Sequence, residues 1–320
     1  MKALEFTHRV VEGFFVFGNR MNTSSTEQSD MPAVTVASVQ MEPIIGDTAA
    51  NLARATVLVE QAAARGAQLV VLPELANTGY VFDSREEAFA LSEAVPAGHS
   101  AQTWIALAQR LGIHLVAGIA ERDGDVLYNA ALIAGPDGYL GTYRKLHLWA
   151  DEKRFFVPGN LGLPIFDTAI GKLGVAICYD GWFPEVYRLF AMRNVDIVAV
   201  PTNWVPMPGQ TPDGPAMAHS LTMAGAHSNG LVIVCADRIG IERGQPFVGR
   251  SLIAGSQGWL LAGPASVDQE EILIASVDVE AARRGRQLNA FNHVMHDRRG
   301  DLYDPMLGTG WPQAGTTPTP

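Results

Sequence analysis

The sequence predicts an α/β fold, a sheet-rich sandwich with mixed strand directions. Continuous apolar runs typical of buried strands, such as LVVL at 69–72 and DIVAVP at 196–201, alternate with segments of helical period. Toward the C-terminus, short apolar segments follow one another without a helix between them, which indicates antiparallel strands. Together these two patterns favour helices packed on sheets that contain both parallel and antiparallel pairs.

The first half of the chain begins with a strand-helix-strand unit. We predict a strand at 34–41 (VTVASVQM) and a helix at 51–65 that ends at Gly66. The run LVVL indicates a buried strand that leads into Pro73-Glu74. Further apolar segments predict a helix at 100–111, strands IHLVAGI and LYNAALIAG, and a strand at 139–143 after the turn Pro136-Asp137-Gly138. Lys145 follows that last strand almost directly.

The second half repeats the alternation of strand and helix. KLGVAIC, ending at Cys178, predicts a strand, and residues 184–193 predict a helix with Val186, Leu189 and Phe190 on one face. The remaining predicted elements are the strand DIVAVP, a helix at 217–228, the strand LVIVCA, and short strands in SLIAG, WLLAG and EILIASV.

We predict one domain over residues 32–310, because 320 residues with 48% hydrophobic content suffice for one large α/β core. We predict that residues 1–31 form a flexible N-terminal extension, with Met21 and Met31 as candidate alternative starts. Residues 311–320 are predicted to be a flexible tail. The first residues carry acidic side chains and lack a small-residue cleavage site, so we do not interpret them as a secretory signal.

Composition excludes several partners. The chain has 23 Lys and Arg against 33 Asp and Glu, a net charge of -10, and no basic run interleaved with aromatics, which argues against nucleic acid. Every apolar run is interrupted before it reaches the length of a membrane span, so no membrane partner is expected. The two cysteines, each in an apolar run, favour a reducing compartment, and we predict a cytoplasmic protein.

Three predicted strand ends carry the groups that amide hydrolysis needs. Glu74, Lys145 and Cys178 would supply a proton acceptor, a cation for a developing oxyanion, and a nucleophile. A turn, YDGWFPE, follows Cys178 and enters a helix, which predicts a lowered thiol pKa and backbone N–H groups placed to bind an oxyanion. Cys235 lies inside LVIVCA with no such turn, so we interpret it as a core residue.

The segments VVLPEL, YRKLHL and VAICYDGWFPE resemble, in this order, the three catalytic segments of the nitrilase or carbon-nitrogen hydrolase superfamily. The resemblance extends from about residue 34 to residue 303 and includes DEKRFFVPG, FVGRSLI and DRRGDLY. It implies a four-layer α-β-β-α sandwich with mixed sheets, and a homodimer or higher homo-oligomer. It implies no metal and no organic cofactor.

The same resemblance implies roles for individual residues. Cys178 matches the nucleophile, Glu74 the general base, and Lys145 the cation that stabilises the tetrahedral intermediate. Other matching positions are Glu152 as a second glutamate near the thiol, the backbone N–H of Tyr179 in the oxyanion site, and Tyr80, Trp182 and Trp204 as pocket residues.

The substrate class stays open between relatives of the same chemistry. Tyr179 and Asp180 follow the thiol, as in many amidases, whereas many nitrilases have Trp-Glu there, so we favour a small amide over a nitrile. An N-carbamoyl amine or an omega-amide is a further alternative, and Ser228 and Asp237 stand where relatives often carry Glu and Asn, which leaves the subfamily open.

Alternatives from other classes find less support. The chain has no G-x-S-x-G elbow, no P-loop and no G-x-G-x-x-G after a strand. His293 and His296 lack convincing further metal ligands nearby, which favours a surface or subunit contact. A catalytically silent ligand-binding protein of the same fold is the remaining alternative, although such a protein need not retain all three groups.

Overall fold

The computed structural model describes residues 33–211 and 214–307. Its strands are β1 Val34–Gln40, β2 Leu69–Val71, β3 His114–Asp123, β4 Val126–Gly135, β5 Gly138–Arg144, β6 Ile165–Thr168, β7 Gly171–Val175, β8 Ile197–Pro201, β9 Val232–Ala236, β10 Ile241–Glu242, β11 Gln245–Pro246, β12 Leu252–Ala254, β13 Leu260–Ala262 and β14 Glu271–Val277. Its helices are α1 Thr48–Ala64, α2 Arg85–Leu91, α3 His99–Leu111, α4 Glu152–Phe155, α5 Pro184–Met192, α6 Met217–Asn229, α7 Val279–Arg284 and α8 Gly300–Leu307, with a 3₁₀ helix at Cys178–Trp182.

The described strands form two six-stranded mixed sheets and the small hairpin β10-β11. The first sheet has the order β14-β1-β2-β3-β4-β5, and the second has the order β13-β12-β9-β8-β7-β6. Neighbouring strands run parallel from β1 through β3 and from β7 through β9, and the remaining neighbours are antiparallel. The prediction of mixed sheets is confirmed.

The layers follow from which apolar faces are buried. Side chains of both sheets, such as Val36 and Val116 of the first and Val175 and Val234 of the second, form one core between them. Helices α1 and α3 cover the outer face of the first sheet, where Trp104 is fully buried. Helices α5 and α6 cover the outer face of the second. The four-layer α-β-β-α sandwich is therefore confirmed.

Most elements lie within a few residues of their predicted bounds, and the differences have local causes. Helix α1 begins three residues before its predicted start, because the Asp47 side chain accepts a hydrogen bond from the N–H of Ala50 and caps the first turn. The short helices α2, α4, α7 and α8, strand β6 and the hairpin β10-β11 were not predicted. The predicted extension 1–31 and tail 311–320 lie outside the described residues, and the single domain and the homo-oligomer stay predictions.

The topology places two of the three predicted strand ends at one edge of the first sheet. Strands β1, β2 and β3 run parallel, and β5 runs in the same direction because it is two antiparallel steps from β3. The residues that follow β2 and β5, Glu74 and Lys145, therefore lie at the same edge of the first sheet. Among the helices of residues 33–211 and 214–307, none has the length and apolar character needed to cross a bilayer.

Candidate active site

A buried lysine lies between two glutamates. Lys145 Nζ is 2.6 Å from Glu74 Oε1 and 2.7 Å from Glu152 Oε1. The side chains of Lys145 and Glu74 are fully buried, and that of Glu152 is 3% exposed. Buried charges require partners of opposite sign, and here each carboxyl group has the same ammonium as its partner.

Neighbouring groups fix the two glutamates in place. Asn129 Nδ2 donates to Glu74 Oε1 over 2.6 Å, and the Tyr80 hydroxyl donates to Glu152 Oε1 over 2.6 Å. The backbone N–H of Trp149 reaches Glu152 Oε2 at 3.3 Å. Glu152 begins the short helix α4, so a single turn of helix brings this carboxyl group back to the lysine.

Cys178 follows β7 and opens the 3₁₀ helix Cys178–Trp182. Its φ is 46°, in the left-handed region that residues with a side chain rarely adopt, and such conformations persist where the surroundings enforce them. The next residue, Tyr179, is in the first turn of the 3₁₀ helix, where backbone N–H groups lack acceptors within the helix. This turn places the thiol beside the first backbone N–H groups of the 3₁₀ helix.

Asp180 joins the thiol turn to the lysine segment. Its fully buried carboxyl group accepts hydrogen bonds from the N–H of Ile177 at 2.9 Å and from the Tyr143 hydroxyl at 2.6 Å. The same group accepts the N–H of His147 at 3.0 Å and lies 2.8 Å from His147 Nδ1. Because Tyr143 and His147 flank Lys145 and Ile177 precedes Cys178, one side chain fixes both segments.

Burial and charge set the protonation of the cluster. Burial, with the neighbouring Glu152, raises the pKa of Glu74 to about 7 even though Lys145 acts to lower it. Burial would lower the pKa of Lys145, but Glu152 and Glu74 outweigh it and raise that pKa, so the lysine stays charged.

The thiol corrects one sequence-based prediction. Burial and then the proximity of Glu74 raise the pKa of Cys178 well above its usual value, while Lys145 and Thr202 act to lower it. The prediction of a pKa lowered by the following helix was therefore wrong. A buried 3₁₀ turn, not the start of α5, surrounds the sulfur, and desolvation of the thiolate dominates. The raised pKa favours a neutral thiol at Cys178.

A small cavity of about 10 Å³ adjoins the thiol, enough for roughly one water molecule. The predicted pocket residues Trp182 and Trp204 line this cavity, together with Tyr179. Tyr80 instead lines a neighbouring cavity of about 110 Å³ that includes Glu152. The other residues around the thiol cavity are Trp149, Asn203, Val205 and Met207.

Several site residues were missed by the sequence reasoning. Asn129 is a polar residue inside the apolar strand β4, and Asn203 is the second residue after β8. Both positions could have been identified from the sequence, because a polar side chain within or just after a buried strand is unfavourable unless it makes a hydrogen bond. Trp149 and Asp180 carried no comparable signal, because their contacts depend on how separate loops meet.

The remaining candidates lie apart from this cluster. The rings of His293 and His296 stack 3.7 Å apart, and within the described ranges no group of three or more potential ligands could hold a metal ion. Cys235 is fully buried in β9, where burial raises its pKa to about 12. Its interpretation as a core residue agrees with this position.

Comparison with known proteins relates this arrangement to one family. The carbon-nitrogen hydrolase model matches residues 35–287. A nitrilase of Pyrococcus abyssi is 43% identical over 84% of this chain and 99% of its own length, and an N-carbamoylputrescine amidase of Solanum lycopersicum is 33% identical over 86% and 95%. The crystal structure of an amidase from Nesterenkonia sp. superposes with a TM-score of 0.69 at 26% identity, over 85% of this chain and 96% of that one. With a family match across most of its length, the chain belongs to the carbon-nitrogen hydrolase family of the nitrilase superfamily and is a carbon-nitrogen hydrolase.

Proposed function

We propose that the protein hydrolyses a small amide to a carboxylic acid and ammonia through a thioester on Cys178. The observation that carries this proposal is the buried ion cluster of Glu74, Lys145 and Glu152, whose charges act directly on the Cys178 thiol. A fully desolvated ammonium and a carboxyl group with a pKa of about 7 are costly to bury, and this chemistry uses both.

In the first half-reaction, Glu74 accepts the thiol proton while the sulfur of Cys178 bonds to the carbonyl carbon. The carbonyl oxygen gains negative charge, which Lys145 and the N–H of Tyr179 stabilise. Glu74 then returns the proton to the nitrogen, the carbon-nitrogen bond breaks, and ammonia leaves. The acyl group remains as a thioester.

In the second half-reaction, Glu74 accepts a proton from water as the water oxygen attacks the thioester carbon. The same two donors stabilise the second oxyanion. When the carbon-sulfur bond breaks, the proton passes from Glu74 to the sulfur, and the acid is released. Glu152 holds Lys145 in place throughout, since its Oε1 atom accepts from the ammonium at 2.7 Å.

The surroundings of the thiol support a small acyl group. The cavity at Cys178 is about 10 Å³, and the adjacent cavity with Glu152 is about 110 Å³. Trp149 and Val205 belong to both cavities, so the two form neighbouring parts of one site. The Tyr179-Asp180 pair after the thiol adds the resemblance to amidases.

A nitrile is the second candidate substrate, and the 43% identity to the P. abyssi nitrilase favours it. The same thiol would add to the carbon-nitrogen triple bond, and two water molecules would be consumed to release acid and ammonia. An N-carbamoyl amine is the third, since a protein named N-carbamoylputrescine amidase is 33% identical.

The test is an ammonia-release screen over small amides, carbamoyl compounds and nitriles that share acyl groups. Cys178→Ala serves as the blank, and Cys235→Ala is the matched control because Cys235 is the other buried cysteine. We expect activity on amides that is absent in Cys178→Ala, retained in Cys235→Ala, and lost when iodoacetamide modifies Cys178.

Full activity of Cys178→Ala on amides would refute the proposed nucleophile. Activity confined to nitriles would move the assignment to the second candidate. Binding of small amides without turnover by any variant would instead indicate a catalytically silent member of the family.

A further inference from the structure

Asn203 follows strand β8 and has one possible side-chain orientation. Its Nδ2 donates to the backbone carbonyl of Glu74 over 2.9 Å, and the side chain is 2% exposed. A flipped amide would place Oδ1 against that carbonyl oxygen, two acceptors in contact, so the hydrogen bond assigns both atoms. Oδ1 is therefore the free end of the side chain.

Asn203 Oδ1 and Glu74 Oε2 are among the buried acceptors near the thiol that have no hydrogen-bond partner within residues 33–211 and 214–307. Asn203 lines the same cavity as Cys178, and the carboxyl group of Glu74 acts electrostatically on the thiol. Unpartnered buried acceptors are rare and unfavourable, and their presence beside the Cys178 thiol indicates that a ligand supplies the donors.

We propose that Asn203 Oδ1 and Glu74 Oε2 together bind the NH₂ group of the substrate, one N–H to each oxygen. This inference rests on the proposed function and narrows it to unsubstituted amides and carbamoyl groups. Glu74 is also the group that protonates this nitrogen as it leaves, so the hydrogen bond lies along the path of the proton. Asn203 acts as the specificity-determining residue.

The chemistry of the alternatives makes the inference specific. A nitrile nitrogen and an ester oxygen are acceptors only, so either would face Asn203 Oδ1 without a hydrogen bond. A site built to accept N–H groups discriminates strongly against analogues that lack them, because its own polar atoms then stay unpaired. A substituted amide keeps at most one N–H and would leave one acceptor unpaired.

The test compares an amide and an ester of the same acid, propionamide and methyl propionate, with the full-length protein. Asn203→Leu removes the acceptor at similar volume. Asn229→Leu is the matched control, because Asn229 is another buried asparagine with an unpartnered Oδ1 and lies on helix α6. The measured quantity is the ratio of kcat/KM for the amide to kcat/KM for the ester.

We expect the ratio to fall by roughly 10- to 100-fold in Asn203→Leu, the range for one unmade buried hydrogen bond, and to stay at the wild-type value in Asn229→Leu. A ratio within about threefold of wild type would overturn the inference, as would equal losses on both substrates. Should Asn203→Leu fail to fold, Asn203→Ala is judged by the same ratio.

Failure of the proposed function has a separate signature. If the wild type cleaves neither substrate, propionamide binding is measured by NMR titration in Cys178→Ala with and without Asn203→Leu. Weaker binding by about tenfold or more in the double variant would support the amide site although the proposed reaction fails. Equal binding in the two variants would overturn the amide site itself.

Discussion

Replacing Lys145 by methionine tests whether the buried ion cluster carries both stability and catalysis. The change removes the only ammonium that contacts Glu74 Oε1 and Glu152 Oε1 within the described ranges, at 2.6 and 2.7 Å. It leaves two carboxyl groups facing each other in a site where both side chains are 3% exposed or less. Breaking a buried pair in this way costs about 3–5 kcal/mol, because an uncompensated charge remains.

The loss of stability should depend on pH, with a sign set by Glu74. Burial already raises its pKa to about 7, and removal of Lys145 would raise it further. A carboxyl group whose pKa is higher in the folded than in the unfolded protein binds more protons when folded, so the variant loses stability as pH rises. We therefore expect Lys145→Met to be less stable at pH 8 than at pH 6, measured by urea unfolding.

Two further variants separate burial from charge. Lys172→Met is the matched control, because Lys172 pairs with Asp167 at 2.7 Å in a pair whose side chains are 40% and 78% exposed, and its removal should cost no more than about 1 kcal/mol. Lys145→Met combined with Glu152→Gln should recover part of the stability by removing one carboxyl charge. Neither form lacking Lys145 should recover activity, with a rate loss of roughly 10²–10³ in ammonia release.

A Lys145→Met variant no less stable than Lys172→Met at pH 8 would refute the energetic role of the buried ion pairs. A Lys145→Met variant that unfolded more easily but hydrolysed amides at the wild-type rate would refute the catalytic role of the lysine. In that case the lysine would serve only to balance the two glutamates.

Three other predictions concern the groups around this cluster. In the proposed mechanism Glu74 must be ionised to accept the thiol proton, and its pKa is about 7, so kcat/KM should fall about tenfold per pH unit below 7. A flat profile from pH 5 to 8 would contradict this role. In Gly118→Ala the new Cβ would lie 2.3 Å from the carbonyl oxygen of Pro73 and 2.5 Å from Glu74 Cα, so the Glu74 backbone must shift and we expect at least a tenfold loss of kcat. Gly135→Ala is the control and should keep its activity, because its Cβ would meet only side-chain atoms, at 3.2 Å or more. Asp180→Ala removes the acceptor of four buried or partly buried hydrogen-bond contacts, so a denaturant titration should show the free energy of unfolding lowered by about 3 kcal/mol or more. A change below about 1 kcal/mol would show that Asp180 does not fix the Lys145 and Cys178 segments.

The strongly apolar strands were predictable because strands buried on both faces appear in the sequence as continuous apolar runs. EILIASV coincides with β14, and DIVAVP differs from β8 by one residue. Short elements depend on contacts elsewhere, and four-residue α4 has no periodicity to detect. Helix α2 did carry a local signal, since Ser84 caps the N–H of Glu87 while Glu87 accepts the N–H of Asp83.

The position of Glu74 and Lys145 at one sheet edge is predictable from the sequence, because parallel strands of one sheet end at the same edge. Contacts between the two sheets are not predictable in this way. The hydrogen bond from Asn203 to the Glu74 carbonyl joins residues 129 positions apart, and it depends on how the two sheets stack. Thiol pKa was mispredicted for a related reason, since a linear pattern shows a nearby helix but not the depth of burial around the sulfur.

Under the proposed mechanism, these protonation states mean that substrate and nucleophile are activated together. At rest the thiol of Cys178 has a pKa well above its usual value, while that of Glu74 is about 7, so proton transfer from sulfur to carboxylate is unfavourable. It becomes favourable once the electrons pass from sulfur to the carbonyl oxygen, where Lys145 and a backbone N–H stabilise the charge. A site of this kind holds an unreactive thiol until a carbonyl occupies the oxyanion position, and its specificity and its reactivity therefore depend on the same contacts.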